Sequence, residues 1–360
     1  MRYPYIIKIL LCVCHTTLLL AQNNNMAPAS ENERLNGRVQ QVISTRYEAA
    51  IRGGEIVPIA KLESVEEDYI LSFDTKGNKV QEQYYDPDGK VGAVYSYLYN
   101  EANKLLQINY QNRLAQDVNC ETAYEYNEQN QLLSQISTCG NTTLNTSTYY
   151  QYNFEGLLIK TAQYDGRQKL DRESVCEYNN QQQIVKTSYL FPQNPTANYY
   201  LTCRYDNKRL AEKTEYYANG ALHTIETYDR AERLISVVQY QEDGKVLDKL
   251  IHQYDADGAI IQTTVFDANG KMQRFVSYEY DKKKRVVKTN LNYPADKKKY
   301  CISYTYASNG KLSSETNEDI TNNRTTMYKY LYDRQNNWVK KITFEDKKPK
   351  DIVVRTIIYY

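Results

Sequence analysis

The stretch Tyr254-Asp255-Ala256-Asp257-Gly258-Ala259-Ile260 decides the reading of this chain. An aromatic is followed by Asp, two polar residues, Gly, one spacer and an aliphatic. Asp-x-x-Gly between two alternating apolar runs predicts a tight turn with a mechanism. The Asp side chain caps its own backbone, and Gly takes the positive φ that closes a type I turn with a bulge. The unit recurs from about Phe73 to Trp338.

The aromatic of each unit marks its position: Phe73, Tyr85, Tyr99, Tyr126, Tyr152, Tyr164, Tyr178, Tyr205, Tyr217, Tyr228, Tyr240, Tyr254, Phe266, Tyr280, Tyr306 and Tyr332. Spacings of 12 and 14 sum to 26, and the long gaps are 26 or 27 residues, so each long gap is a pair whose middle turn has worn away. Turn-forming residues stand where that sum puts them: Gln111-Asn112-Arg113, Cys139-Gly140-Asn141, Phe191 to Pro195, Tyr293-Pro294-Ala295-Asp296, and Asp319 to Asn323. Eleven copies of strand-turn-strand-turn fit, and the Tyr217–Tyr228–Tyr240 region is three residues short. A fixed period of this size marks a repeat architecture.

Successive turns of a meander fall on opposite edges. One edge carries the turns after Phe73, Tyr99, Tyr126, Tyr152, Tyr178, Tyr205, Tyr228, Tyr254, Tyr280, Tyr306 and Tyr332. There the marker often has a second tyrosine two residues earlier, as at Tyr97, Tyr124, Tyr150, Tyr278, Tyr304 and Tyr330. Residues i and i−2 share a strand face, so a tyrosine ladder is expected along one face near that edge. Before the repeats, Leu35 to Tyr47 alternates like a strand that could pair with Tyr69 to Phe73 across the long Glu48–Glu67 connection. Asp351 to Tyr360 makes a last strand.

Composition agrees. There are 37 Tyr against six Phe and one Trp, and net charge is +1. Tyr favours strands and tolerates a wet edge while burying its face, which suits a sheet with little apolar cover. Residues 1–21 read as a secretory signal: Arg2 and Lys8, an apolar run from Ile9 to Leu20, and a cleavage point at Ala21-Gln22. That run is too short for a spanning helix. Residues 22–34 read as a polar linker and 35–360 as one domain. The expectation is an exported protein: periplasmic, outer-surface associated or secreted.

Units of the form Tyr-Asp-x-x-Gly with these flanks resemble the YD repeats of the Rhs family. The chain is most similar to small exported repeat proteins, through Leu35-Asn36-Gly37-Arg38-Val39 and the closing Asn336-Asn337-Trp338. The resemblance implies a spiralling β-shell, which in large Rhs proteins surrounds a C-terminal toxin. Here the sequence ends in repeat and Asp86-Pro87-Asp88-Gly89 lies in the second turn, so no passenger is expected.

No catalytic constellation emerges. His252 fills a ladder slot two before Tyr254, and His223 lies mid-strand beside no Cys, Asp or Glu at metal spacing. Asp86, Asp165, Asp206, Asp229, Asp255, Asp267, Asp281 and Asp333 repeat because the turn repeats. Asp86-Pro87-Asp88-Gly89 and Asp255-Ala256-Asp257-Gly258 resemble the opening of a calcium loop but have no later Glu at the right distance. The expectation is no enzyme, no cofactor and no metal. Of the cysteines after the signal, Cys176 and Cys203 fall two strands apart, beyond disulfide reach, and Cys301 stands alone. Cys120 and Cys139 flank one turn at nearly equal distance. A three-residue loop would pair 120 with 138 and a four-residue loop 120 with 139. Charges at Glu212, Lys213 and Glu215 on both faces of one strand argue against a lipid-facing barrel.

Charge is uneven: residues 22–280 hold 25 Lys+Arg and 35 Asp+Glu, residues 281–360 hold 18 and 9. Lys282-Lys283-Lys284-Arg285 and Lys297-Lys298-Lys299 form two basic turns on opposite edges. They either guard strand edges or contact an anionic envelope glycan, a lipid headgroup, an acidic protein or the acidic end of a second copy. No nucleic acid and no transmembrane span are expected. The fold class is therefore all-β, a long antiparallel meander of about two dozen strands coiled into an open or hollow shell or superhelix. The function expected is a non-catalytic binding or scaffold module at the cell envelope. The alternatives are an Rhs-like shell tied to toxin delivery and a glycan-active enzyme.

Overall fold

The computed structural model describes residues 35–62, 67–86, 88–113 and 118–360. The expected signal, the linker and Pro87 of the Asp86 turn lie outside the described residues. The chain forms 25 β-strands with short 3-10 turns between some of them, and no α-helix among the described residues. Strand β1 spans Val39–Arg52, β2 Glu55–Lys61, β3 Tyr69–Phe73, β24 Trp338–Glu345 and β25 Lys348–Tyr359.

From β3 to β25 every strand pairs antiparallel with the next, as the alternating turns require. The wall then closes on itself. β25 pairs with β1 from Val39↔Tyr359 to Glu48↔Asp351, and β1 pairs with β3 from Gln41↔Ser72 to Ser44↔Tyr69. The result is a closed barrel of 24 strands with one extra strand, hollow rather than an open superhelix. The extra strand is β2, which folds back on the far end of β1 through Gly53-Gly54, both left-handed at φ +59° and +84°. The sequence reading left this hairpin inside a connection.

Each regular turn follows the expected chemistry. Gly258 N–H donates to the Asp255 carbonyl at 3.1 Å, and Asp255 N–H to the Ala259 carbonyl at 2.9 Å. Ala259 N–H donates to Asp255 Oδ1 at 2.8 Å. Gly258 has φ +90°, and the register slips by one between Gln253 and Tyr254, as a bulged turn demands. Copies without Gly put another residue in the left-handed region, among them Asn130, Gln182 and Lys284.

A wall one strand thick can enclose little. Among the described residues, a hydrophobic cluster joins Ala49, Ile342, Phe344 and Ile352 beside Tyr47, Ile56, Met327 and Val354. It sits at the seam, where β2 adds cover. Ile352 and Val353 are both 0% exposed although neighbours on a strand point to opposite faces, so the seam is covered on both sides. Elsewhere the residue before nine of the eleven first-edge markers (Leu98, Glu125, Gln151, Glu177, Arg204, Gln253, Glu279, Thr305, Leu331) is exposed, while the residues on either side of it, mostly tyrosines, are half-buried or buried. The tyrosine face is the shielded face of the wall.

Candidate functional site

The ladder is held by a repeated bond. The hydroxyls of Tyr99, Tyr126, Tyr152, Tyr178, Tyr205, Tyr254, Tyr280, Tyr306 and Tyr332 each donate to the carbonyl of the first residue after the preceding first-edge turn, 20 or 21 residues back, at 2.7–3.0 Å. Each marker thus ties one copy to the one before. Tyr228 departs from the rule and donates to Glu226 at 2.5 Å. Burial raises the phenol pKa along the ladder, to about 12 at Tyr304 and Tyr332 and further still at Tyr97 and Tyr330. His252 stands in the ladder as expected: it is buried, 2.8 Å from Thr263 Oγ1, and burial lowers its pKa.

Carboxylates on this face are committed to their neighbours. Glu82 accepts from Tyr84 at 2.5 Å and Tyr97 at 2.6 Å and pairs with Lys79. Burial pushes its pKa up, but donors from Lys79, Tyr84 and Tyr97 outweigh this and hold it below the usual range. Glu226 accepts from Tyr228 and faces Lys213 at 3.4 Å. The sequence reading of His223 needs a correction: Glu215 reaches it across the strand pair, Oε1 to Nδ1, at 2.7 Å, and Tyr217 lies against its ring at 4.4 Å. Cross-strand register, invisible in local spacing, makes that pair. No group of three metal-ligating side chains occurs among the described residues.

The seam gathers residues that sequence reasoning missed. Tyr69, Tyr84, Tyr95 and Tyr110 run across four adjacent strands with ring centroids 4.7–6.3 Å apart. Arg355 continues the run: its guanidinium bonds Tyr69 Oη and lies 3.4 Å over Trp338. Ser44 pairs with both Tyr69 and Arg355, and a small residue there leaves the arginine room to cross β1. Arg46 meets Asp351 at 2.7 Å and Lys341 meets Glu67 at 2.7 Å. These partners lie 274 to 305 residues apart, so no local period announces them.

The ends of the described chain rebuild a repeat turn between them. Asn337 Nδ2 donates to the Asn36 carbonyl at 2.8 Å, Asn36 N–H donates to Asn337 Oδ1 at 2.6 Å, and Tyr360 N–H donates to the Arg38 carbonyl at 2.9 Å. Gly37 takes φ +81°, and the register slips after Val39↔Tyr359 as it does after Tyr254↔Ile260. Gly37 stands where Gly258 stands in its own copy.

The two basic turns lie at opposite ends of Val286–Tyr293, about 26 Å apart at 3.3 Å per residue. The structure does not bring them together. Lys282, Lys283 and Lys284 are exposed, and Lys284 lies 3.5 Å from Asp257 of the neighbouring turn. Arg285 belongs to the repeat: it bonds Asp281, donates to the Gly310 carbonyl at 3.3 Å and covers the Tyr306 ring at 4.1 Å. Arg233 does the same over Tyr254 at 4.6 Å. Lys297, Lys298 and Lys299 are exposed on the other rim, with Lys298 3.8 Å from Asp296. Cys120 and Cys139 are directly opposed and form a disulfide: the turn closes Asn127 on Gln131 over three residues, and the bulge at Glu125/Tyr126 shifts the register by one to oppose 120 with 139. Cys176, Cys203 and Cys301 are free.

No protein-family model matches the chain, and no curated protein matches it. Among solved structures, the chain is similar to TcdB2-TccC3-Cdc42 at 13% identity and TM-score 0.29, over 79% of this chain and 19% of that one. It therefore spans about a fifth of that chain's length. A porin-like protein from Bacteroides uniformis is similar at 10% identity and TM-score 0.23, over 90% of this chain and 98% of that one. Likeness at this level carries no weight for function, and the fold stands on its own register.

Proposed function

We propose that this chain is an exported, non-catalytic scaffold that presents its rims to a partner at the cell envelope. The observation that carries the reading is the commitment of its polar groups. The ladder hydroxyls bond backbone carbonyls, Glu82 and Glu226 serve tyrosines and lysines, and turn carboxylates such as Asp255 and Asp281 accept from their own turns. Catalysis needs a group poised on a substrate rather than consumed by the wall. Ion pairs Lys160–Glu173, Lys186–Glu177 and Arg204–Glu212 lie on one face of the wall and Lys213–Glu226 on the other, which supports water on both sides.

Among the charged groups, the exposed lysines of the two basic turns are the least committed, Lys284 and Lys298 making only ion pairs of 3.5 and 3.8 Å. Lys282, Lys283 and Lys284 form one anion contact and Lys297, Lys298 and Lys299 a separate one on the opposite rim, with Arg285 excluded by its structural role. The test is a pull-down of the mature chain on anionic envelope glycans and anionic lipid vesicles, with Lys→Gln variants of each turn. Retention should fall steeply between low and physiological salt, since exposed charges are screened over about 8–10 Å. Binding indifferent to salt and to both variants would remove the lysines from the reading. Closure supports a second reading, a shell around a partner, because the bore of a β-barrel grows with strand number beyond what side chains can fill.

A further inference from the structure

The first rim is laced from turn to turn. Asn78 Nδ2 donates to Asn103 Oδ1 at 3.2 Å, Gln131 Nε2 to the Gly156 carbonyl at 2.8 Å, and Asn309 Nδ2 to Asn336 Oδ1 at 2.7 Å. Beside one such bond, from Gln183 Nε2 to the Lys208 carbonyl, runs a groove with Asn179, Asn180, Gln181 and Gln183 of one turn on one side and Asn207 and Lys208 of the next on the other. Tyr205 lines it as well.

A missing residue accounts for the groove. Tyr178 to Ile184 and Tyr228 to Leu234 are six steps each, but Tyr205 to Leu210 is five. The shorter turn keeps the bulge at Arg204/Tyr205 but has no room for the three-residue loop. Its strands run on to Asp206↔Arg209, and Asn207 and Lys208 close it at φ +48° and +72°. Two left-handed residues make the tight hairpin turn, which reaches less far past the rim than its five-residue neighbours.

The lining is chemically distinct from the basic turns. Asn179 and Gln183 are committed: Asn179 Oδ1 accepts from the Gln181 and Gln183 N–H groups, and Gln183 Nε2 donates to the Lys208 carbonyl at 2.7 Å. The side-chain amides of Asn180, Gln181 and Asn207 take no hydrogen bond from the described residues. Each offers a donor and an acceptor to the groove. Tyr205 adds an aromatic surface, fixed because its hydroxyl bonds the Ile184 carbonyl at 2.9 Å. The N–H groups of Asn179, Gln181, Gln182 and Gln183 are bonded within their own turn, so an extended peptide finds no continuous strand edge to pair with, and one lysine gives an anion little hold.

Paired donors and acceptors beside one aromatic ring match vicinal hydroxyls and the C–H face of a pyranose. We propose that this groove binds a neutral hexopyranose unit of an uncharged glycan. The site stands apart from the lysine turns and does not depend on them.

The experiment is a printed array of uncharged oligosaccharides probed with the mature chain, followed by calorimetric titration of the best saccharide. Affinity should change less than about two-fold between 0.15 and 1 M NaCl, because no ion pair is screened. The N180A/Q181A double variant should lose about ten-fold, each lost amide leaving hydroxyls unpaired. Asn180→Asp and Gln181→Glu keep side-chain size, guard against a folding artefact, and should each lose about five-fold. The K282Q/K283Q/K284Q variant should bind as the parent does. Absence of any saccharide signal, parental affinity in these groove variants, or loss of binding in high salt would each overturn the proposal.

Discussion

At the seam, Ile352 and Val353 are wholly buried, whereas Leu158, Ile184 and Leu234 of the wall keep part of their surface in water. Both regions are antiparallel sheet, but they are held differently. The wall relies on repetition: one hydroxyl bond per copy and one capped turn per hairpin. The seam relies on packing: β2 lays Ile56 against Phe344 and Ile352, and Arg355 spans Trp338 and Tyr69. A repeat supplies equal small increments along the wall. A ring needs one stronger joint where unlike strands meet.

Alkaline titration should act on both regions at once and have the largest effect. Phenols raised by burial, to about 12 at Tyr95, Tyr304 and Tyr332, are favoured neutral in the fold. Their contribution is fully present below the unfolded value near 10 and is lost as pH rises through the folded value. Unfolding followed by circular dichroism should therefore track phenolate absorbance between about pH 10 and 12. Ladder phenols that ionise near pH 10 with the fold intact would mean the tyrosine face is open to solvent.

Ile352→Ala should destabilise by about 2–5 kcal/mol in a chemical melt, while Leu158→Ala on the wall should lose only about 1 kcal/mol. Equal losses would erase the distinction between seam and wall. Gly270→Val isolates the turn. Its φ is +75° and an added Cβ meets nothing within 4 Å, so the expected loss of about 1–3 kcal/mol is backbone strain alone. A neutral result there would mean that the turn relaxes to another type. Tyr280→Phe removes one ladder bond, 2.8 Å to the Ile260 carbonyl, and should lose about 0.5–1.5 kcal/mol. A loss near zero would reduce the ladder to ring packing.

The wall was legible because it is local. Asp255, Gly258 and Ile260 declare a turn within seven residues, and eleven copies repeat the declaration, so strand order, alternating edges and the tyrosine face all follow from spacing. Cys120 and Cys139 were legible up to one residue of register, which the bulge at Glu125/Tyr126 settles. The seam was not legible. Leu35 to Tyr47 read as a strand near Tyr69, but nothing local says that Asp351 to Tyr360 takes its other edge. Gly53-Gly54 turns the chain back into β2, but β2 lacks the repeat's marker and was left in a connection. Arg285 read as part of a lysine cluster because composition records charge and not partners. The short turn at Asn207 escaped the reading, because Tyr205 and Tyr217 keep the ordinary spacing of 12 and the lost residue leaves the markers in place.

Closure is the central claim, and amide hydrogen exchange tests it most directly. In the ring, β1 is hydrogen-bonded on both edges over Gln41–Ser44, by β3 and by β25. Successive amides from Gln41 to Ser44 should then exchange as slowly as those of Ile260–Asp267 in mid-wall. In an open sheet one edge of β1 would face water, and every second amide in that stretch would exchange as fast as those of the exposed turns. Uniform protection of Gln41 to Ser44 supports the closed barrel; alternating fast exchange there would contradict it.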